Sequence, residues 1–141
     1  MNNSSRPGWL PPLAEIVGGL LLGALIGVPL TFVIPMFIQP RPGSFDDVVG
    51  ALAGLYFGYV IGVTLGVILV GRWMKQGGAW WMALIGAVVG ALLAIGIASM
   101  GLANYPALVQ AAYFGLTVIL AVVGYTWSAN RRGNNESVPS A

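Results

Sequence analysis

The sequence predicts an all-α, polytopic membrane protein of four transmembrane helices packed through GxxxG (glycine-zipper) grooves, and three observations predict it. Charge is scarce: six Lys and Arg and four Asp and Glu stand in 141 residues, far below the quarter or so that clothes a soluble domain. Four apolar runs, residues 13–37, 48–71, 80–102 and 107–128, each have the roughly 20 residues needed to cross a hydrocarbon core of about 30 Å. Glycine recurs at every fourth position of the second run, at Gly50, Gly54, Gly58, Gly62 and Gly66.

That last pattern sets the packing. Each step of four overshoots a helical turn, so the glycines wind slowly around the helix and a neighbour that follows them must cross at an angle. In lipid such a groove lets two backbones approach closely. In water each glycine would cost roughly 1 kcal/mol against alanine, which disfavours a soluble helix here.

The chain should open with a disordered polar tail, residues 1–12, whose Trp9, Pro11 and Pro12 bring it to the membrane interface. The first helix is expected near Leu13, with Glu15 in its first turn, where the positive end of the helix dipole favours a carboxylate. The run is too long for a signal-peptide core and reads as a retained span. Gly19, Gly23 and Gly27 repeat the four-residue spacing and make this helix the natural partner of the second. Pro29, at mid-span, removes a backbone donor and predicts a kink or local break.

Ser44 and Asp47 have capping-box spacing at the start of the second helix, and Asp46 adds charge that suits its dipole. Arg72 and Lys75 lie at its end, and Gly77 with Gly78 is expected to stop it. The third span opens at Trp80 and Trp81 and carries Gly86, Gly90, Ala94 and Ala98. The fourth continues the small-residue theme at Ala107, Ala111 and Gly115, and a disordered polar tail, residues 129–141, should follow. Gly23, Ala24 and Gly27 match Gly86, Ala87 and Gly90, and Tyr56-Phe57-Gly58 matches Tyr113-Phe114-Gly115. Both matches suit a repeat of two helix hairpins.

Arg6, Arg72, Lys75, Arg131 and Arg132 fall on one side of this arrangement and Arg41 alone on the other. The positive-inside rule then puts both termini in the cytoplasm, for a protein of the cell or inner membrane. All five tryptophans fall on that same side.

The inventory limits the chemistry. Without cysteine or histidine the chain lacks thiol chemistry and the usual transition-metal ligands. No acid–base pair, activated nucleophile or phosphate-cradling loop can be assembled, so neither an enzyme nor a cofactor or metal site is expected. Tyr56, Tyr59 and Tyr113 are candidates to line a cleft, or to fill space beside the glycines. Glu15 is the one carboxylate inside an apolar run, apart from the boundary pair Asp46 and Asp47. Such a residue is a candidate for proton or cation coupling.

The stretch Leu13-Ala14-Glu15-Ile16-Val17-Gly18 resembles the first-helix segment around the essential glutamate of small multidrug resistance transporters, which are also small four-helix proteins. The likeness covers these six residues. Pro11 and Pro12 stand almost directly before them, where that family carries about ten apolar residues. What the resemblance implies is a proton-coupled role for Glu15. The expected function is a structural or interaction role in the membrane, through self-association or a membrane-protein partner, with lipids around it and no nucleic acid. A small proton- or cation-coupled transporter or channel using Glu15 is the alternative.

Overall fold

The structure, a computed structural model, describes residues 9–37, 45–100 and 105–136, with side chains as far as Arg131. It contains four α-helices: α1 (Leu10–Phe37), α2 (Asp46–Trp73), α3 (Trp80–Ser99) and α4 (Pro106–Glu136). All four contain a stretch long and apolar enough to cross a membrane. The described residues are thus all-helical in architecture and compatible with a small integral membrane protein.

The helices pair as two antiparallel hairpins, α1 with α2 and α3 with α4. Along α1 and α2, Gly54 lies against the Leu30 carbonyl, Gly58 against Gly27, Gly62 against Leu22 and Gly23, and Gly66 against Gly18 and Gly19. A methyl group placed at Gly58 would sit 2.9 Å from Gly27 Cα, and one at Gly62 would sit 2.7 Å from Gly23 Cα. Main chain therefore touches main chain where a side chain would hold the helices apart. Gly50 is buried at the other end of the same face. Between α3 and α4 the corresponding contacts are Gly86 with Leu120, Gly90 with Leu116 and Thr117, and Gly124 with Met82.

Small and β-branched residues fill the space between the hairpins. Val63 and Val67 of α2, Ala83, Ala87 and Ala91 of α3, and Val118, Ala121 and Val122 of α4 are buried together. The opposite faces, with Leu21, Leu25 and Phe32 of α1 and Leu92 and Ile95 of α3, are exposed, as lipid-facing surfaces are.

Several local expectations need correction. The first helix begins at Leu10, because proline is tolerated in a first turn whose N–H groups have no intrahelical acceptor. Glu15 consequently lies beyond the first turn. The helix runs unbroken through Pro29 and Pro35, so the local break expected at Pro29 is absent. Beside it the Thr31 hydroxyl donates to the Gly27 carbonyl at 3.0 Å. At the start of α2 the N-cap is Phe45, which makes no side-chain cap bond. Ser44, with Arg6 and Arg41, lies outside the described residues. Asp46 and Asp47 do occupy the first turn, where the dipole favours them.

The end of α2 is a Schellman turn built on lysine. Lys75 adopts φ 61°, its N–H donates to the Arg72 carbonyl at 3.0 Å, and the Gln76 N–H donates to the Gly71 carbonyl at 2.8 Å. Lys75, and not Gly77 or Gly78, therefore stops the helix. At the other terminus α4 continues past Ser128 to Glu136, so residues 129–136 are helical where a disordered tail was expected. Arg131 lies over the Trp127 ring at 4.1 Å from its centroid.

Candidate functional site

Three places in the fold could bear function, and each follows from how glycine and tyrosine set the helices. The first is the junction of α2 and α4. Glycines on α2 hold α1 close on one side, which turns Tyr56 and Tyr59 toward the second hairpin. Tyr56 and Tyr113 meet with ring centroids 4.5 Å apart, and Tyr59 meets Phe114 edge-on at 4.6 Å. The hydroxyls bridge reciprocally: Tyr59 donates to the Phe114 carbonyl at 3.0 Å and Tyr113 to the Tyr56 carbonyl at 3.2 Å. Each phenol satisfies its polar end on the opposing backbone while its ring fills apolar space.

The second place lies beside this clasp. A cavity of about 410 Å³ opens between α2, α3 and α4 and is bordered by Tyr56, Tyr113, Ala53, Ala91 and Ala94. Tyr56 and Tyr113 thus line a cleft, which Tyr59 does not; the Tyr113 hydroxyl is engaged by the Tyr56 carbonyl, and the cleft surface is almost wholly apolar.

The third is the end of the bundle that holds both described termini. Here the connection between α2 and α3 is tied to α4. Tyr125, 1% exposed, is inserted between Gly71 and Gly78, where a methyl group at Gly78 would lie 2.6 Å from the ring. Its hydroxyl donates to the Gln76 carbonyl at 3.1 Å, and the Ala79 N–H donates to Ser128 Oγ at 2.7 Å. This anchor was not anticipated. The signal available was a tyrosine near the end of the last span facing two glycines in and before a loop, a combination that spacing alone does not reveal.

Glu15 lies at this same end. It is 0% exposed, and neither carboxylate oxygen meets a hydrogen-bond partner among the described residues. The expected interfacial, dipole-stabilised carboxylate is thus an enclosed one. Its surroundings can be placed by register. One turn further into α1, the Gly19 position faces Val67 and Val63 of α2 and Val118 of α4. Since α1 and α4 run antiparallel, Glu15 comes level with Val122, which is also buried. One turn back, Pro11 and Pro12 share Glu15's face and line a second cavity of about 440 Å³ with Gln76, Thr126, Ala129 and Asn130. Glu15 thus lies one helical turn inward from a mixed polar and apolar cavity at the end of the bundle, whose lining it does not join.

The remaining expected positions divide. Gly23, Gly27, Gly54, Gly58, Gly62, Gly66, Gly86 and Gly90 all sit at close helix contacts, whereas a methyl group at Gly19 would make only ordinary van der Waals contact, at 3.4 Å or more. Gly115 faces open space, so it does not continue a groove on α4; Gly124 does. Gly18 joins the α1–α2 seam unannounced, its carbonyl lying over Gly66. No group of three or more metal-binding side chains occurs among the described residues. No protein-family model, curated protein or solved structure matches the chain.

Proposed function

We propose that the protein is a small structural or interaction component of a cell or inner membrane, with both termini cytoplasmic and its helices packed as a glycine zipper. The observation that carries this reading is the seam between α1 and α2, where Gly54, Gly58, Gly62 and Gly66 each meet backbone of α1. A duplicated helix hairpin agrees with Gly86 and Gly90 meeting α4 as Gly23 and Gly27 meet α2. The glycines of α2 are occupied within the chain, so a second copy or a membrane-protein partner would dock on the outward apolar faces of α1 and α3. Native mass spectrometry in nanodiscs tests the reading. It should return more than one copy, or a retained companion subunit, and a lone chain with lipid would contradict an interaction role.

One observation favours a second reading, a proton- or cation-coupled transporter or channel. Glu15 is enclosed and without a hydrogen-bond partner among the described residues, one turn inward from a cavity lined by Pro11 and Pro12, and an intramembrane carboxylate is costly enough to suggest a use. In proteoliposomes carrying a pH-sensitive dye, an imposed membrane potential should drive proton entry that Glu15→Gln abolishes. Equal flux in wild type and variant would remove this reading.

A further inference from the structure

We propose that Glu15, one turn inward from the cavity at the end of the bundle, is the binding site for a single monovalent cation, delivered as a proton or as an alkali ion. The site rests on the second functional reading for its residue but not for transport, since a bound charge is required whether or not it moves. Three observations converge. Both Glu15 oxygens are buried with no donor among the described residues. The level below them is sealed by Gly19, Val63, Val67 and Val118. One turn above them is a cavity at the end of the bundle that Pro11 and Pro12 line together with the polar Gln76, Thr126 and Asn130.

Among the described residues, the groups that could neutralise a carboxylate there are engaged elsewhere or exposed. From α2 and its following turn, Arg72 and Lys75 are exposed at the helix end. From α4, Arg131 is exposed and stacks on Trp127, and Tyr125 donates its proton to the Gln76 carbonyl. The described part of α3 carries no titratable side chain. A negative charge left uncompensated in such surroundings is strongly disfavoured, so the folded bundle binds one positive charge at Glu15. The other carboxylates with described side chains, Asp46 and Asp47, lie at the far end of the bundle, so the site matches a singly charged ion.

The test is thermal unfolding of the full chain in nanodiscs, for wild type and Glu15→Gln, across mildly acidic to mildly basic pH. It is repeated in sodium chloride and in choline chloride of equal ionic strength. A ligand that binds only the folded state raises its stability in proportion to the logarithm of its concentration above Kd. Proton binding predicts a wild-type melting temperature that falls by several degrees as pH rises, against a flat variant. Alkali binding predicts a rise with sodium that choline does not reproduce and the variant lacks. Identical profiles for the two proteins overturn the site.

Should Glu15→Gln fail to fold, infrared spectroscopy of the otherwise wild-type chain decides. With Glu136→Gln and 13C-glutamate, Glu15 is the sole labelled carboxyl. A band that interconverts between acid and carboxylate with pH, or a carboxylate band moved by sodium, supports the site. A carboxylate band indifferent to both overturns it. Loss of proton flux without loss of these signals would strike the transport reading alone.

Discussion

At Lys75 a side chain occupies a backbone conformation that glycine adopts more easily. Its φ of 61° carries a steric cost of about 1 kcal/mol for an L-residue. Lys75→Gly should therefore raise stability by roughly 0.5–1 kcal/mol, read as a higher midpoint in denaturant titrations. A fall would mean that the lysine side chain contributes more than its backbone costs. The neighbouring glycines differ in the opposite sense. Gly78 makes room for the Tyr125 ring and Gly77 faces open space. Gly78→Ala should destabilise by about 1–3 kcal/mol through overpacking while Gly77→Ala stays near neutral, in thermal unfolding of both variants. Equal effects would show that Tyr125 is not held there. This level of detail was the least legible in the sequence. Gly77 and Gly78 read alike as helix stops, because nothing in their spacing tells which one lies under a tyrosine from α4. Glu15 was misread for a related reason: a start at Leu13 puts it in the first turn, whereas Pro11 and Pro12 within the helix draw it into the bundle.

Whole helices were far more legible, since a run of twenty apolar residues and a four-residue glycine period leave few alternatives. The pairing of α1 with α2 follows from their matching lines. The length of α4 did not, because Ala129 to Glu136 is polar and its helicity depends on continuation from the span. Close contact along these seams is also uneven in a way that sequence could not show. Gly19→Ala should be neutral or stabilising by up to about 1 kcal/mol, as alanine is the better helix former and the site has room. Gly66→Ala meets the Gly18 backbone, 2.8 Å from its carbonyl carbon, and should destabilise. Finding the two equivalent in chemical denaturation would place the seam elsewhere. Between hairpins, Tyr59→Phe and Tyr113→Phe each remove one bridging hydroxyl, worth about 0.5–1.5 kcal/mol. A double-mutant cycle should show coupling, because both span the same α2–α4 junction. Strict additivity would make the two bridges independent.

Across the whole molecule, the two ends differ. The end with the described termini is tied by Tyr125, Ser128 and the α2–α3 turn, and bears five exposed or half-exposed tryptophans, Trp9, Trp73, Trp80, Trp81 and Trp127. Those rings suit the headgroup level. Toward the opposite end the hairpins part around the apolar cavity beside Tyr56 and Tyr113. The composition announced a membrane domain and the glycine period announced its seam; the closed end, the parted end and the enclosed carboxylate emerge only when four helices are assembled. The claim on which the rest depends is that the α2 glycines exist to bring α1 into backbone contact. It is tested most directly by comparing the thermal unfolding of Gly62→Leu and Gly115→Leu in identical nanodiscs. Gly62 lies against Leu22 and Gly23, and Gly115 faces open space. The account predicts that the first substitution abolishes cooperative unfolding or lowers its midpoint by many degrees while the second leaves it nearly unchanged; a Gly62→Leu protein as stable as Gly115→Leu would contradict it.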